Sequence, residues 1–199
     1  PADFPFPCIV KPATGTGGSA FVSLVGDIDE ARAAIAVIHN MNITALIQEY
    51  LPLDEGEYTI GVLHLPDGTH ASTIMLRRIF NSKLSVSFAG QHGLISSGYS
   101  QGYIGEFPLL AAQAERLAES LGSRGPLNIQ ARVKNGILYP FEANPRFSAS
   151  TYLRCMAGFN EIDVFMRCGY LGAPIPECLI KPGYYLRSFD EIYVPSETM

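Results

Sequence analysis

Leu127-Asn128-Ile129-Gln130-Ala131-Arg132-Val133, then Lys134-Asn135-Gly136, then Phe141-Glu142-Ala143-Asn144-Pro145-Arg146-Phe147-Ser148 is the stretch from which the rest of the chain can be read. Its first segment alternates strictly, with polar groups at even positions, as a half-buried strand does. Glu142 and Asn144 are likewise two apart on a returning strand. The turn sets the faces. A two-residue Asn135-Gly136 loop pairs 134 with 137 and sends Gln130 and Glu142 to opposite sides. A three-residue loop with Gly136 in the left-handed conformation pairs 133 with 137 and brings Gln130, Glu142 and Asn144 to one face. Polar side chains gathered on one face favour the second register, so a three-residue loop is predicted. One carboxylate and two side-chain carbonyls are hard oxygen ligands of the kind Mg²⁺ takes while phosphate completes its shell. Arg146, just past Pro145, offers a planar donor fork that can reach a transferred phosphoryl group. The competing reading is a solvated sheet face with a surface arginine. Proline directly after Asn144, followed by arginine, weighs against chance.

Upstream, Pro7-Cys8-Ile9-Val10-Lys11 reads as a short strand, and Pro12-Ala13-Thr14-Gly15-Thr16-Gly17-Gly18 as a tight loop. Gly15 to Ala20 overlaps the dinucleotide-binding glycine pattern, but that pattern opens a helix, and Phe21-Val22-Ser23-Leu24-Val25 reads as strand. A Walker A loop needs Gly-Lys-Ser/Thr, which is missing. What remains is a glycine flap between antiparallel strands. Its backbone N–H groups can approach anionic oxygens, Thr14, Thr16 and Ser19 can donate hydroxyls, and Lys11 supplies a point charge. A plain glycine-rich hairpin with an exposed lysine is the alternative.

Between and beyond these segments the pattern predicts a helix after the capping pair Asp27/Glu30, a strand at 45–48, and strands at 58–65, 70–80 and 84–89. It further predicts a long loop from 90 to 105, a helix over 106–121 stopped by Gly122, and a weaker helix near 161–170. Consecutive strands joined by turns argue for an antiparallel sheet. The 199 residues are 47% apolar, which supports a real core and excludes disorder. A net charge of -5 without a Lys/Arg block removes the footprint of a nucleic-acid binder. No apolar run reaches the roughly 18 to 20 residues needed to span a bilayer, so no membrane partner is expected. Cys8, Cys155, Cys168 and Cys178 are dispersed, which fits a reducing cytoplasm, with Cys155 and Cys168 as packing residues. His64, His70 and His92 lack metal-ligand spacing and read as surface or loop histidines. The chain opens at Pro1 and runs at once into a strand, from which a fragment of a longer polypeptide is expected.

These residues resemble the ATP-grasp superfamily, in detail its carbamoyl-phosphate-synthetase-type branch. The 127–148 stretch is similar to that branch's strand, turn and Glu-x-Asn-Pro-Arg segment. Ile9-Val10-Lys11-Pro12 with its loop resembles the lid, and Leu46-Ile47-Gln48-Glu49-Tyr50-Leu51 the hinge. The resemblance implies an α+β ATP-grasp fold, an antiparallel sheet with flanking helices, divided into a partial lid at 1–49 and a body at 50–199. It further implies that Lys11 contacts the α- and β-phosphates and that Thr14, Gly15, Thr16, Gly17, Gly18 and Ser19 close over them. Gln48, Glu49, Tyr50 and Leu51 would meet adenine, and Glu57 the ribose hydroxyls. Gln130, Glu142 and Asn144 would hold one or two Mg²⁺, with Mn²⁺ able to replace it, and Arg146 would stabilise the phosphoryl in flight. Arg78 and Arg154 are candidate acceptor or phosphate contacts; Arg77 and Lys83 read rather as exposed edge charges. The implied function is an ATP-dependent ligase that phosphorylates a small carboxylate for attack by an amine or other nucleophile. The alternatives are a nucleotide-binding module without turnover and, less supported, a dinucleotide oxidoreductase. An N-terminal domain of the same polypeptide is the implied partner, and an oligomer is compatible with all of this.

Overall fold

The structure is a computed structural model and describes residues 4–14, 17, 19–80 and 85–188. Strand β1 (Cys8–Pro12) pairs antiparallel with both β2 (Ser23–Val25) and β3 (Ala45–Glu49). Helix α1 (Ile28–His39) packs on this sheet, burying Ala31 and Ile38 against Cys8, Val10 and Val25. Asp27 starts the helix by accepting hydrogen bonds from the N–H groups of Asp29 and Glu30. Glu30 returns a bond to the N–H of Gly26 rather than of Asp27, one residue earlier than a regular capping box. The strand expected over 21–25 is shorter than predicted: only its last three residues pair.

After β3 come β4 (Glu57–His64) and β5 (His70–Arg78), then a hairpin of β6 (Val86–Gly90) and β7 (Gly93–Ser96), then β8 (Gly102–Ile104). Helix α2 (Pro108–Ser120) leads to β9 (Pro126–Lys134) and β10 (Ile137–Asn144). Helices α3 (Thr151–Met156) and α4 (Glu161–Tyr170) and strand β11 (Gly183–Tyr185) complete the described elements. The larger sheet runs β10-β9-β4-β5-β8-β11, and its pairings are antiparallel. Helix α2 covers one face through Ala114 and Ala118, against Tyr58, Ile60 and Val62 of β4 and Leu127, Ile129, Ala131 and Val133 of β9. The opposite face is divided. One end, with Leu63, Ile74, Leu76 and Ile104, is buried under Leu153, Phe159 and Val164 of the α3–α4 region. The other end carries the polar row of β9 and β10.

Two expectations are corrected by this arrangement. The stretch 90–105 is not one loop, because it holds β7 and β8, strands of four and three residues that are too short to show a period. The turn after β9 has two residues, not three. Asn135 and Gly136 adopt φ values of 53° and 69°, and Ile137 pairs with Lys134. An Asn-Gly pair with both residues left-handed is the turn whose twist matches a hairpin. Gln130 and Glu142 nevertheless share a face, because the register shifts between Pro140 and Glu142 and leaves Phe141 as an extra residue. Pro140 cannot donate to the ladder, and β10 lies at the edge of the sheet, where a bulge is tolerated. Beyond the bulge, Glu142 stands opposite Gln130 and Asn144 opposite Asn128.

Candidate functional site

A cleft of about 480 Å³ opens between the small sheet, the β10 edge and strand β7. The bulge builds part of it. Its displaced Phe141 carbonyl accepts a hydrogen bond from Lys11 Nζ at 2.7 Å, so a β1 side chain bridges the small sheet to β10. Burial holds the Lys11 ammonium below its ordinary pKa, and the nearby Glu142 carboxylate partly offsets this. From the glycine flap, Thr14, Gly17 and Ser19 line the cleft, and Ser19 Oγ donates to the Ser96 carbonyl at 2.7 Å. Gly15, Thr16 and Gly18 lie outside the described residues.

Gln48, Glu49, Tyr50 and Leu51 line the far wall. Tyr50 and Leu51 are held by Arg132. Its Nε donates to Glu57 at 2.9 Å, its Nη2 to the Leu94 carbonyl at 2.8 Å, and its Nη1 to the Leu51 carbonyl. The guanidinium carbon lies 4.8 Å from the Tyr50 ring centroid, and Tyr50 Oη accepts from the Leu94 N–H at 2.9 Å. Glu142 and Asn144 line the floor, with Asn144 Nδ2 donating to Glu142 Oε1 at 2.6 Å. Half-buried Gln130 faces Glu142 across the ladder.

Three sequence-predicted residues are not available to a ligand. Glu57 is fully buried, and both its oxygens are taken, Oε1 by Arg78 at 2.8 Å and Oε2 by Arg132. The ribose contact expected of Glu57 is therefore corrected: it is the counterion of two arginines. Arg78 is itself buried and also donates to the Ser97 and Tyr99 carbonyls, so it reaches neither acceptor nor phosphate. Arg154 is 1% exposed and bonds Glu161 and Asn128, the latter at 2.8 Å. This pair crosses β4 at Gly61, where a Cβ would collide with both Arg154 and Glu161 side chains. Arg77 is exposed as expected, but it is not an edge charge, because β5 pairs with both β4 and β8, and Lys83 lies outside the described residues. His64 is buried on β4 rather than lying at the surface, and among the described residues no His, Cys, Asp and Glu cluster could hold a metal. Arg146 is exposed just past β10 and donates to the Phe147 carbonyl at 2.9 Å. Arg132 and the Leu94–Ser96 segment were missed; the even-position alternation of β9 places Arg132 on the Gln130 face and was the available signal.

The model of the family described as "ATP-grasp in the biosynthetic pathway with Ter operon" matches residues 42–174. The chain belongs to this ATP-grasp family. Formate-dependent phosphoribosylglycinamide formyltransferase of Corynebacterium jeikeium is 26% identical over 185 residues, covering 89% of this chain and 43% of that protein. The carbamoyl phosphate synthase large chain of Deinococcus deserti is 33% identical over 156 residues, covering 74% of this chain and 14% of that one. N5-carboxyaminoimidazole synthetase of Staphylococcus aureus complexed with ADP superposes with a TM-score of 0.63 at 16% identity, covering 89% of this chain and 45% of that one. The chain thus spans less than half the length of these relatives, and the fold is the α+β ATP-grasp fold.

The ATP-grasp cleft suits a nucleotide in size, lying in the range of about 300 to 1,000 Å³ usual for small-molecule sites. Its floor suits a hard divalent cation: an exposed carboxylate, Glu142, with two amide oxygens available from Gln130 and Asn144 on the same face. No helix among the described residues is long and apolar enough to cross a membrane.

Proposed function

We propose that this chain is the ATP-handling part of an ATP-dependent carboxylate–amine ligase, divided into a lid at 1–49 and a body at 50–199. The observation that carries the reading is convergence: Lys11, the flap residues Thr14 and Ser19, and Glu142 and Asn144 of β10 face one cleft. Lys11 would leave the Phe141 carbonyl for the α- and β-phosphates, and the flap would close over them. The backbone of 48–51 would meet the adenine edge, and Gln130, Glu142 and Asn144 would hold Mg²⁺, which supplies charge neutralisation at the phosphates. Arg146 would stabilise charge on the phosphoryl group as an acceptor carboxylate oxygen attacks phosphorus and ADP leaves. An amine then displaces phosphate from the activated carboxylate. The chain contributes positioning and charge, which is why no Ser-His or Cys-His pair is needed.

The acceptor and nucleophile are small molecules in this reading, the setting is the cytoplasm, and an N-terminal domain of the same polypeptide completes the acceptor site. Because these two curated relatives are more than twice as long, the second reading is a module that binds nucleotide without turnover. ADP release from the full-length polypeptide, with hydroxylamine to trap an activated carboxylate, separates them. ADP binding without ATP-dependent turnover over a broad carboxylate panel would sink the ligase reading.

A further inference from the structure

Arg187 follows β11 and reaches back to the loop that leaves β10. Its Nε donates to the Ser100 carbonyl at 3.0 Å and its Nη2 to the Ala149 carbonyl at 2.6 Å, with the Tyr99 ring centroid 6.0 Å from the guanidinium carbon. Arg146 donates to the Phe147 carbonyl of the same loop. Those two carbonyls are two residues apart, so they are separated by no more than about 7 Å. The two guanidiniums are therefore tied to one short loop segment, 147–149. Each carries five N–H donors, of which Arg146 uses one and Arg187 two on side-chain bonds to described residues. Neither meets a carboxylate among those residues, whereas Arg78 and Arg132 are held by Glu57 and Arg154 by Glu161. In a chain with 19 acidic against 14 basic side chains, carboxylates are in excess, so two cations on one loop without a carboxylate among the described residues are open to anions from outside.

The geometry points to an acceptor that carries two anionic groups, the carboxylate to be activated at Arg146 and a second carboxylate or phosphate held in the fork of Arg187. This rests on the ligase reading for the role of Arg146, and it adds Arg187 as the specificity-determining residue. The remaining N–H groups of each planar fork can hold a planar or tetrahedral oxyanion.

The test is calorimetry on the full-length polypeptide with ADP and Mg²⁺ present, using succinate and 3-phosphoglycerate as two-anion probes and acetate as the single-anion probe. At least one two-anion probe is expected to bind about tenfold or more tighter than acetate, and Arg187→Gln to remove that advantage. ADP affinity should not change in the variant. The stronger of the two probes tells carboxylate from phosphate. Equal binding of all three probes, or an undiminished preference in Arg187→Gln, would overturn the inference. If Arg187→Gln does not fold, Arg187→Lys, which keeps charge but loses the fork, is expected to weaken the preferred probe about threefold or more, and parent-like binding there overturns it. Failure of ADP to bind would instead count against the nucleotide reading, because the preference among probes is read without turnover.

Discussion

At the scale of single residues, Glu57 and His64 show how burial reassigns a side chain. Glu57 sits at 0% exposure between Arg78 and Arg132, which are contributed by two flanking strands of the sheet. Glu57→Gln keeps the shape and removes the charge, leaving two buried guanidiniums without a counterion, and is expected to cost about 3 to 5 kcal/mol in denaturant unfolding. A loss below about 1 kcal/mol would contradict a buried ion triad. None of this was legible in the sequence, because Arg78 and Arg132 are 21 and 75 residues away and only the strand order brings them to Glu57. His64 is buried with no hydrogen-bond partner at Nδ1 among the described residues. Burial lowers its pKa, and the His70 ring, 5.4 Å away, lowers it further, while Glu119 and Glu115 oppose. Below the unfolded value of about 6.5, the unfolded chain therefore binds the proton more readily than the folded one. The His64 contribution is full above that pH and is lost as pH falls beneath it. Melting temperature should drop between pH 7 and 5, and less steeply in His64→Gln; parallel profiles would refute the assignment.

At the scale of elements, the β9–β10 hairpin carries the design of the floor. The strands and the helices α1, α2 and α4 were legible because each is long enough to show its period or its caps. Strands β7, β8 and β11 and helix α3 were not, since three to six residues carry no period. The hairpin was half legible: the shared face of Gln130 and Glu142 followed from their polarity, but the two-residue turn and the bulge were exchanged for one longer turn. Two errors of one residue cancel in register, so facing alone could not tell them apart. Removing Phe141 separates them. Without it, β10 continues in the register of Ile137 to Pro140, and Glu142, moved up one place, still stands opposite Gln130, whereas with the longer turn the same deletion would send Glu142 to the other face. The deletion is expected to leave Mg²⁺-dependent ATP binding in calorimetry within about tenfold of the parent, with a cooperative melt. Loss of binding with the cooperative melt intact would show that Phe141 is not an extra residue in the ladder. Gly136→Ala tests the turn itself: with φ at 69°, it is expected to cost about 1 kcal/mol without changing affinity.

At the scale of the whole molecule, the two sheets have separate cores, one under α1 and the other beneath and above the large sheet. They meet across the cleft through a few polar ties, Lys11 to Phe141 and Ser19 to Ser96 among them. A ligand that touches both sides adds its own contacts to these ties and should stabilise the folded chain. At a concentration 100 times its Kd, MgATP would stabilise the chain by about 2.7 kcal/mol, and for a chain of this length each kcal/mol moves the melting temperature by about 2 to 4 °C. A rise of roughly 5 to 10 °C is therefore expected under those conditions. Lys11→Ala removes one tie and one phosphate contact together. Its melting temperature without nucleotide should stay close to the parent's, because a single partly exposed hydrogen bond is worth only about 1 kcal/mol. The shift produced at the parent's saturating MgATP should shrink to less than half. If the shift is undiminished, the phosphates lie away from Lys11, and the bond to Phe141 is then a structural tie between the sheets and nothing more.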